Sequence, residues 1–259
     1  MRASLVLTLA ALGGGGCVGR TGGDTVTFAV AAAGPADAKA GQPLSFSSSG
    51  FDVVLTRATL HVGAVYLDES IPVSGAQATG CYLTGAYVAE ETSALTVDLL
   101  SATAQRFPSP ALGITDPAPL IGEAWLTGGD VNATTDETAI LTVAGTATRN
   151  GTAFPFTGTV TIGSNRQPPS AGRAAGTPIC KARIVSLIPA RLTLRKTGGL
   201  LLRIDPRTFF EGVDFSELPP DPKAGGFLFP DDASVPAAQK LYVNLHSYAA
   251  YAFSWSEDL

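Results

Sequence analysis

The stretch AILTVAGTATRNGTAFPFTGTVTI, residues 139–162, decides the fold of this chain. At its centre stands the pair Asn150-Gly151, which is the strongest short-range signal for a β-hairpin. A type I′ turn needs a positive φ at both central residues, and Asn and Gly tolerate that conformation best. We therefore predict two antiparallel strands that meet at this turn.

The two arms of this hairpin also predict the register in which the strands pair. On one face, large apolar residues fall opposite small ones, while threonine dominates the other face. A slip of one residue would move every side chain to the opposite face, so only this register keeps the two faces distinct. The predicted pairs are Leu141 with Val160, Val143 with Gly158, Gly145 with Phe156, Ala147 with Phe154, Thr142 with Thr159 and Ala144 with Thr157.

The composition of the whole chain fits a protein built from strands and turns. It has 259 residues, of which 45% are hydrophobic and 15% charged, and it contains 29 Gly and 18 Pro. Such a chain can bury a large core, and many short strands without helical crossovers are typical of β-sandwiches. We predict an all-β protein in which residues 25–259 form one antiparallel β-sandwich, immunoglobulin-like or transthyretin-like, with long Gly/Pro-rich loops.

Alternating apolar and polar residues predict the other strands of this sandwich. They cover residues 25–31, 51–67 with a possible break at Gly63, 86–89, 94–100, 120–127, 183–187, 190–195, 200–204 and 241–249. Gly198-Gly199 is interpreted as the turn of a second hairpin, and residues 206–218 as the place of a short helical turn.

The first seventeen residues, MRASLVLTLAALGGGGC, have the features of a secretion signal. Arg2 supplies a positive charge, and residues 3–12 form an apolar run that is too short to span a bilayer. Small residues then lead to Cys17. An ordinary secretory signal that is cleaved elsewhere is one interpretation of this segment.

A second interpretation follows from Gly15, Gly16 and Cys17, which resemble the cleavage site of bacterial lipoproteins. Gly14 departs from that family, which usually has an aliphatic residue three positions before the cysteine. The resemblance implies that residues 1–16 are removed as a signal peptide and that Cys17 is lipidated.

The same resemblance implies where the protein resides. Residues 17–24 would be a lipidated N-terminus and tether, because several acyl chains on one cysteine anchor a protein firmly. Val18 stands where enteric lipoproteins retained in the inner membrane carry an aspartate. We therefore expect a lipid-anchored protein of the bacterial cell envelope, with the outer membrane favoured.

The two remaining cysteines, Cys81 and Cys180, form an even pair if Cys17 is lipidated. In an oxidising compartment such a pair predicts a disulfide, and we predict Cys81–Cys180. The alternative is a thiolate that binds a metal or acts as a nucleophile, although no CxxC motif supports it.

The only two histidines, His61 and His246, are the candidate metal ligands. Both lie in predicted strands on the more polar face, so pairing of these strands would bring the imidazoles together. Asp68, Glu90 or Asp98 could then add an oxygen ligand. The alternative is that each is an ordinary hydrogen-bonded strand histidine, and the sequence itself requires no cofactor.

Three stretches give the body of the chain a resemblance to a known family. VDLL at residues 97–100, VAGTATRNGTAFPF at residues 143–156 and a closing aromatic strand are together similar to the copper-associated periplasmic MbnP-type proteins, which are β-sandwiches. The resemblance implies a copper site with a modified tryptophan and histidines, for which Trp125, His61 and His246 are the comparable residues. The mature chain contains no methionine, which argues against a Met-rich copper(I) site.

Residues 130–136 carry oxygen-bearing side chains at every second position: Asp130, Asn132, Thr134 and Asp136. This spacing is similar to the start of a calcium-binding loop. The loop motif also needs a glycine at its sixth position and an acid at its twelfth, and both are missing. A polar loop leading into the hairpin is the alternative.

Charge and motifs narrow the classes of function. The net charge of −5, without a basic patch, argues against nucleic acid as a partner. No GxSxG, HExxH, P-loop or GxGxxG motif is present, so we expect no enzyme, although converging carboxylates would leave a hydrolase open. We expect a membrane-anchored binding or envelope-structural module with an envelope protein or glycan as partner, and periplasmic metal binding as the alternative.

Overall fold

The computed structural model describes residues 23–70, 86–128, 137–163, 183–223, 225–232 and 234–259. Within these ranges the chain is mostly strand. The strands are β1 (Thr25–Ala33), β2 (Leu44–Ser48), β3 (Phe51–Val62), β4 (Ala64–Asp68), β5 (Tyr87–Glu91), β6 (Leu95–Asp98), β7 (Gln105–Arg106), β8 (Ala111–Ile114), β9 (Ile121–Trp125), β10 (Ala139–Arg149), β11 (Thr152–Thr161), β12 (Ile184–Pro189), β13 (Gly199–Ile204), β14 (Phe227–Phe229) and β15 (Tyr251–Ser256).

The described strands form two sheets packed as a sandwich that approaches a barrel, which confirms the all-β prediction. The larger, nine-stranded sheet has the order β12-β9-β4-β5-β8-β1-β13-β15, with β7 also paired to β1. The smaller, six-stranded sheet has the order β14-β11-β10-β3-β2, with β6 also paired to β3. Most pairs are antiparallel, but β1 with β13 and β11 with β14 are parallel, so the expectation of purely antiparallel sheets is corrected at these two places.

The hairpin of β10 and β11 forms with all six predicted residue pairs. Asn150 has φ 53° and Gly151 has φ 79°, which are the positive values that a type I′ turn requires. The apolar face of the hairpin is buried, with Leu141 and Val160 at 0% exposure. The sequence therefore predicted both the turn and the register of this element.

Gly63 is the point at which the chain leaves one sheet and enters the other. β3 belongs to the smaller sheet and β4 to the larger one, and Gly63 alone separates them. The backbone N–H of Gly63 donates to the carbonyl of Trp125 at 2.8 Å, and a Cβ at this position would lie 2.2 Å from the carbonyl oxygen of Thr127. The predicted break in the strand at Gly63 is confirmed, and close approach of another backbone is its cause.

A large hydrophobic core extends between the two sheets, and Ala31, Ala33 and Leu201 form a second, small cluster. The aromatic part of the large core includes Phe209, Phe210 and Phe215, which are fully buried and lie in two 3₁₀-helices, Pro206–Phe210 and Phe215–Glu217. The carboxylates of the preceding residues Asp205 and Asp214 accept backbone N–H groups and so cap these helices. The helical turn predicted within residues 206–218 is thus confirmed.

The prediction of a last strand at residues 241–249 is wrong, because helix α1 (Pro236–Leu245) covers the first five of these residues. Pro236 stands in the first turn, where its missing N–H costs nothing. The final strand is instead β15, and it pairs antiparallel with β13.

Two further strand predictions are wrong. Residues 190–195 form no strand, and Gly198-Gly199 does not join a hairpin. β13 instead pairs parallel with β1 and antiparallel with β15, both of which lie far from it in sequence. Because these partner strands are distant in sequence, the residues near β13 contain no signal that predicts the pairing.

Several predictions fall outside the described residues. They concern the signal peptide, Cys17, the disulfide of Cys81 and Cys180, and the loop of residues 130–136. In the part of the chain that is described, no helix is long and apolar enough to cross a membrane.

Candidate functional site

The outward face of the larger sheet carries carboxylates and aromatic rings side by side on β4, β5 and β9. We call this surface the acid–aromatic face, and it consists of Tyr66, Asp68, Tyr87, Glu90, Glu123 and Trp125.

Strand alternation and register bring these side chains together. In β4, Val65 and Leu67 point into the core, so Tyr66 and Asp68 point outward. Across the sheet, Tyr66 lies opposite Glu123 of β9 and also opposite Glu90 of β5.

The three aromatic rings of this face pack against one another. The ring centroid of Tyr66 lies 4.5 Å from that of Trp125 and 4.9 Å from that of Tyr87, with interplanar angles of 42° and 46°. The indole Nε1–H of Trp125 donates to Glu123 Oε2 at 2.9 Å. Aromatic packing and this hydrogen bond fix the positions of the rings on rigid strands.

Two carboxylates on the same face as these rings are fully buried, because Asp68 and Glu123 both have 0% exposure. Neither carboxylate oxygen of Asp68, nor Oε1 of Glu123, accepts a hydrogen bond from any described residue. Burial first, and then the charge of Glu123, raise the pKa of Asp68 to about 7. Burial also raises the pKa of Glu123, against the hydrogen bonds from Trp125 and Tyr87.

A concave groove continues from the acid–aromatic face over β5, β8 and β1. Its volume is about 330 Å³, and its lining includes Tyr87, Glu90, Leu112 and Thr25. Leu112 is 51% exposed and Tyr87 is 40% exposed, although both are large apolar side chains. The row Thr27–Leu112–Glu90–Tyr66–Glu123 runs straight across the five strands from the groove to the buried acids.

The two candidate metal ligands do not lie on paired strands. His61 is in β3, which pairs with β2, β6 and β10, and its Nδ1 lies 3.0 Å from Thr96 Oγ1. His246 caps the C-terminal end of α1, and its Nδ1 lies 2.9 Å from the carbonyl oxygen of Tyr242. The strand pairing that we expected to bring the imidazoles together is therefore wrong, because His246 follows a helix.

The predicted oxygen donors are also divided between the two sheets. Asp68 and Glu90 lie on the larger sheet, whereas Asp98 lies on β6 of the smaller sheet, beside His61. The carboxylate of Asp98 accepts a hydrogen bond from the backbone N–H of Leu100 at 2.9 Å. Among the described residues, no group of three or more His, Cys, Asp or Glu side chains is placed to hold a metal ion.

Sequence reasoning did not single out Glu123, Tyr66 or Tyr87 as site residues. The available signal was a charged residue inside an apolar strand, since Glu123 stands within Leu120-Ile-Gly-Glu-Ala-Trp-Leu. A charge at such a position is seldom fully buried without a partner, so it marks a site that needs an explanation.

Comparison with known proteins identifies no relative. No protein-family model matches the chain, and neither the curated proteins nor the solved structures include a significant match.

Proposed function

We propose that this protein is an extracytoplasmic binding module of a bacterial envelope, anchored by a lipid on Cys17. In this proposal the acid–aromatic face and its groove form the binding surface. The lipoprotein-like residues before Cys17 support the anchor, and the geometry of the larger sheet supports the binding surface.

The single observation that carries the binding role is the exposure of large apolar side chains on rigid strands. Leu112 and Tyr87 are 51% and 40% exposed beside a groove of about 330 Å³. Contiguous exposed apolar and aromatic side chains mark interaction sites, and tyrosine and tryptophan are enriched in them. Strands hold such side chains in place before a partner arrives, which lowers the entropy cost of binding.

The partner class that fits this surface is an envelope glycan. The C–H faces of sugar rings pack on aromatic rings such as Tyr87, and sugar hydroxyls donate hydrogen bonds to an exposed carboxylate such as Glu90. An envelope protein is the competing partner, and the experiment below distinguishes the two.

The two alternative functions receive less support from the geometry. A copper-type site at His61 and His246 required both residues to lie on paired strands, but His246 follows helix α1. A hydrolase could use Asp68 and Glu123 as paired carboxylates. Catalytic carboxylates must lie within hydrogen-bond reach of the substrate, but both side chains have 0% exposure.

The anchor is tested by metabolic labelling with a clickable fatty acid in the bacterium that makes the protein. We expect the wild-type protein to carry the label and to sediment with membranes, and the Cys17→Ser variant to lose both properties. Labelling that persists in Cys17→Ser would contradict lipidation at this residue.

The binding surface is tested by co-sedimentation of the solubilised mature protein with insoluble envelope polysaccharide. We expect Tyr87→Ala to lower the bound fraction at least fivefold, and Tyr248→Ala, a matched exposed tyrosine beyond α1, to leave it unchanged. Equal loss in both variants would argue against the acid–aromatic face. Wild-type binding only to envelope protein, and not to polysaccharide, would replace the glycan by a protein partner.

A further inference from the structure

We propose that Asp68 and Glu123 bind one divalent cation of the kind that prefers oxygen ligands, with calcium as the probe. This site uses neither His61 nor His246, although Asp68 was also a candidate oxygen donor for the predicted histidine site, and it does not depend on the proposed binding of a glycan.

The two carboxylates lie close enough to share an ion. Asp68 pairs with Ile121 and Tyr66 pairs with Glu123, so Asp68 and Glu123 are diagonal neighbours on one face of two adjacent strands. Diagonal neighbours have Cβ atoms about 7 Å apart, within reach of each other's side chains. Calcium–oxygen distances of about 2.4 Å allow a single ion to lie between two such carboxylates.

Three of the four carboxylate oxygens of these buried acids lack a hydrogen-bond donor among the described residues. Both oxygens of Asp68 and Oε1 of Glu123 accept no hydrogen bond within the described part of the chain, and the ion pairs found there involve neither residue. Glu123 Oε2 accepts a hydrogen bond from the indole of Trp125, and the side chain of Tyr87 is a second hydrogen-bond partner of Glu123. Buried charges are normally paired or coordinate a metal, because burial of an isolated carboxylate is very unfavourable. Three free oxygen atoms on two adjacent buried acids are the arrangement that a cation would satisfy.

The ligand atoms available at this site are oxygens. The acid–aromatic face offers carboxylate oxygens and contains neither histidine nor cysteine. Oxygen ligands suit calcium, magnesium and manganese, whereas zinc and copper prefer nitrogen and sulfur. Two carboxylates do not fill the coordination shell of such an ion, so water would supply the remaining ligands.

The ion would also have a structural consequence for the surface above it. It would connect β4 to β9 through side chains, on the same two strands that carry the packed rings of Tyr66 and Trp125. Cation binding would therefore stabilise the acid–aromatic face as a unit.

The site is tested with terbium, which binds at calcium sites and emits when a nearby aromatic ring is excited. Trp125 contacts Glu123 directly, so the EDTA-treated mature protein should show saturable terbium emission that calcium displaces. We expect Asp68→Asn and Glu123→Gln each to weaken terbium binding at least tenfold. Glu90→Gln, which changes an exposed acid on the same face, is the matched control and should bind as the wild type does.

A second measurement keeps the proposal open to refutation if a variant folds poorly. Calcium should raise the unfolding temperature of the wild type and leave that of Asp68→Asn unchanged, while potassium serves as the ion control and magnesium tests a second divalent cation that prefers oxygen ligands. Terbium emission that persists in Asp68→Asn, or an unfolding temperature of the wild type that does not respond to any divalent cation, would overturn the proposal. In the second case the acids hold a proton instead of a metal ion.

Discussion

At the scale of single residues, Asp68 stands out because it is a fully buried carboxylate beside a second one. Its pKa is raised to about 7, mainly by burial and further by the charge of Glu123. Without a bound cation, the ionised form of Asp68 therefore destabilises the folded state near neutral pH. Removing the charge of Asp68 should therefore stabilise the folded state.

We predict that Asp68→Asn raises the unfolding temperature at pH 8 in buffer with EDTA. The unfolded carboxyl has a pKa near 3.9 and the folded one near 7, so the folded state binds the extra proton between these values. Wild-type stability then falls as pH rises through this window, by up to about 1.4 kcal/mol per pH unit. The advantage of the variant should be largest above pH 7 and should shrink toward pH 4 in thermal unfolding curves. An advantage that is constant with pH would contradict the raised pKa.

At the scale of single elements, Gly63 and helix α1 show what local sequence can and cannot predict. The break at Gly63 was visible in the sequence, but the entry of β4 into the other sheet was not, and strand alternation continued through Gly63 would place Tyr66 on one face with Leu60 and Val62. In fact Leu60 and Val62 lie in the core of the smaller sheet, while Tyr66 faces outward from the larger one.

Helix α1 was missed because two periodicities compete in the same segment. Leu241, Val243 and Leu245 alternate as in a strand. The buried set Ala237, Ala238, Leu241, Tyr242 and Leu245 instead follows the helical spacing. Packing against the 3₁₀-helix Pro206–Phe210 decides between them, and that neighbour is not apparent from the segment alone.

We predict that Leu241→Ala lowers the free energy of unfolding by about 2–5 kcal/mol, whereas Val243→Ala changes it by about 0.5 kcal/mol or less. The helix buries Leu241 completely and leaves Val243 61% exposed. A strand would place both side chains on the same face and give similar losses. Equal losses in urea unfolding would therefore contradict the helix.

We predict that Gly63→Ala lowers the free energy of unfolding by more than about 2 kcal/mol, because its Cβ would overlap the carbonyl oxygen of Thr127. Gly41→Ala is the control, since Gly41 has φ 74° but no atom within 4 Å of an added Cβ. Its cost should be only the conformational one, about 1 kcal/mol. If Gly63→Ala lowered the free energy of unfolding no more than Gly41→Ala does, the two sheets would be able to move apart near Gly63 and accommodate the added Cβ.

At the scale of the whole molecule, the acid–aromatic face exists only because β4 lies between β5 and β9 in the larger sheet. Composition and turn signals were sufficient to predict a β-sandwich. The order of strands was not predictable, because pairs such as β1 with β13 join segments far apart in sequence and depend on the assembled core. The candidate site could not be predicted for the same reason, since its carboxylates and rings come from three separate strands.

The disulfide of Cys81 and Cys180, which would join two distant parts of the chain, stays a prediction. A loop of about 100 residues closed by a disulfide stabilises by up to about 4.7 kcal/mol in the chain-entropy model. We expect Cys81→Ser to lower the unfolding temperature in non-reducing buffer to that of the reduced wild type. Reaction of both thiols with maleimide in the unreduced, denatured wild type would show that the bond does not form.

The most direct test of the central claim, that the acid–aromatic face is the binding surface, is photo-crosslinking in intact cells. A photoreactive phenylalanine analogue would replace Leu112 in the groove or, as a control, Val243 on α1, which is exposed as well. We expect a crosslinked product from position 112 that a glycan-degrading enzyme shortens, and none from position 243. Crosslinking at position 243 with none at position 112 would contradict the claim.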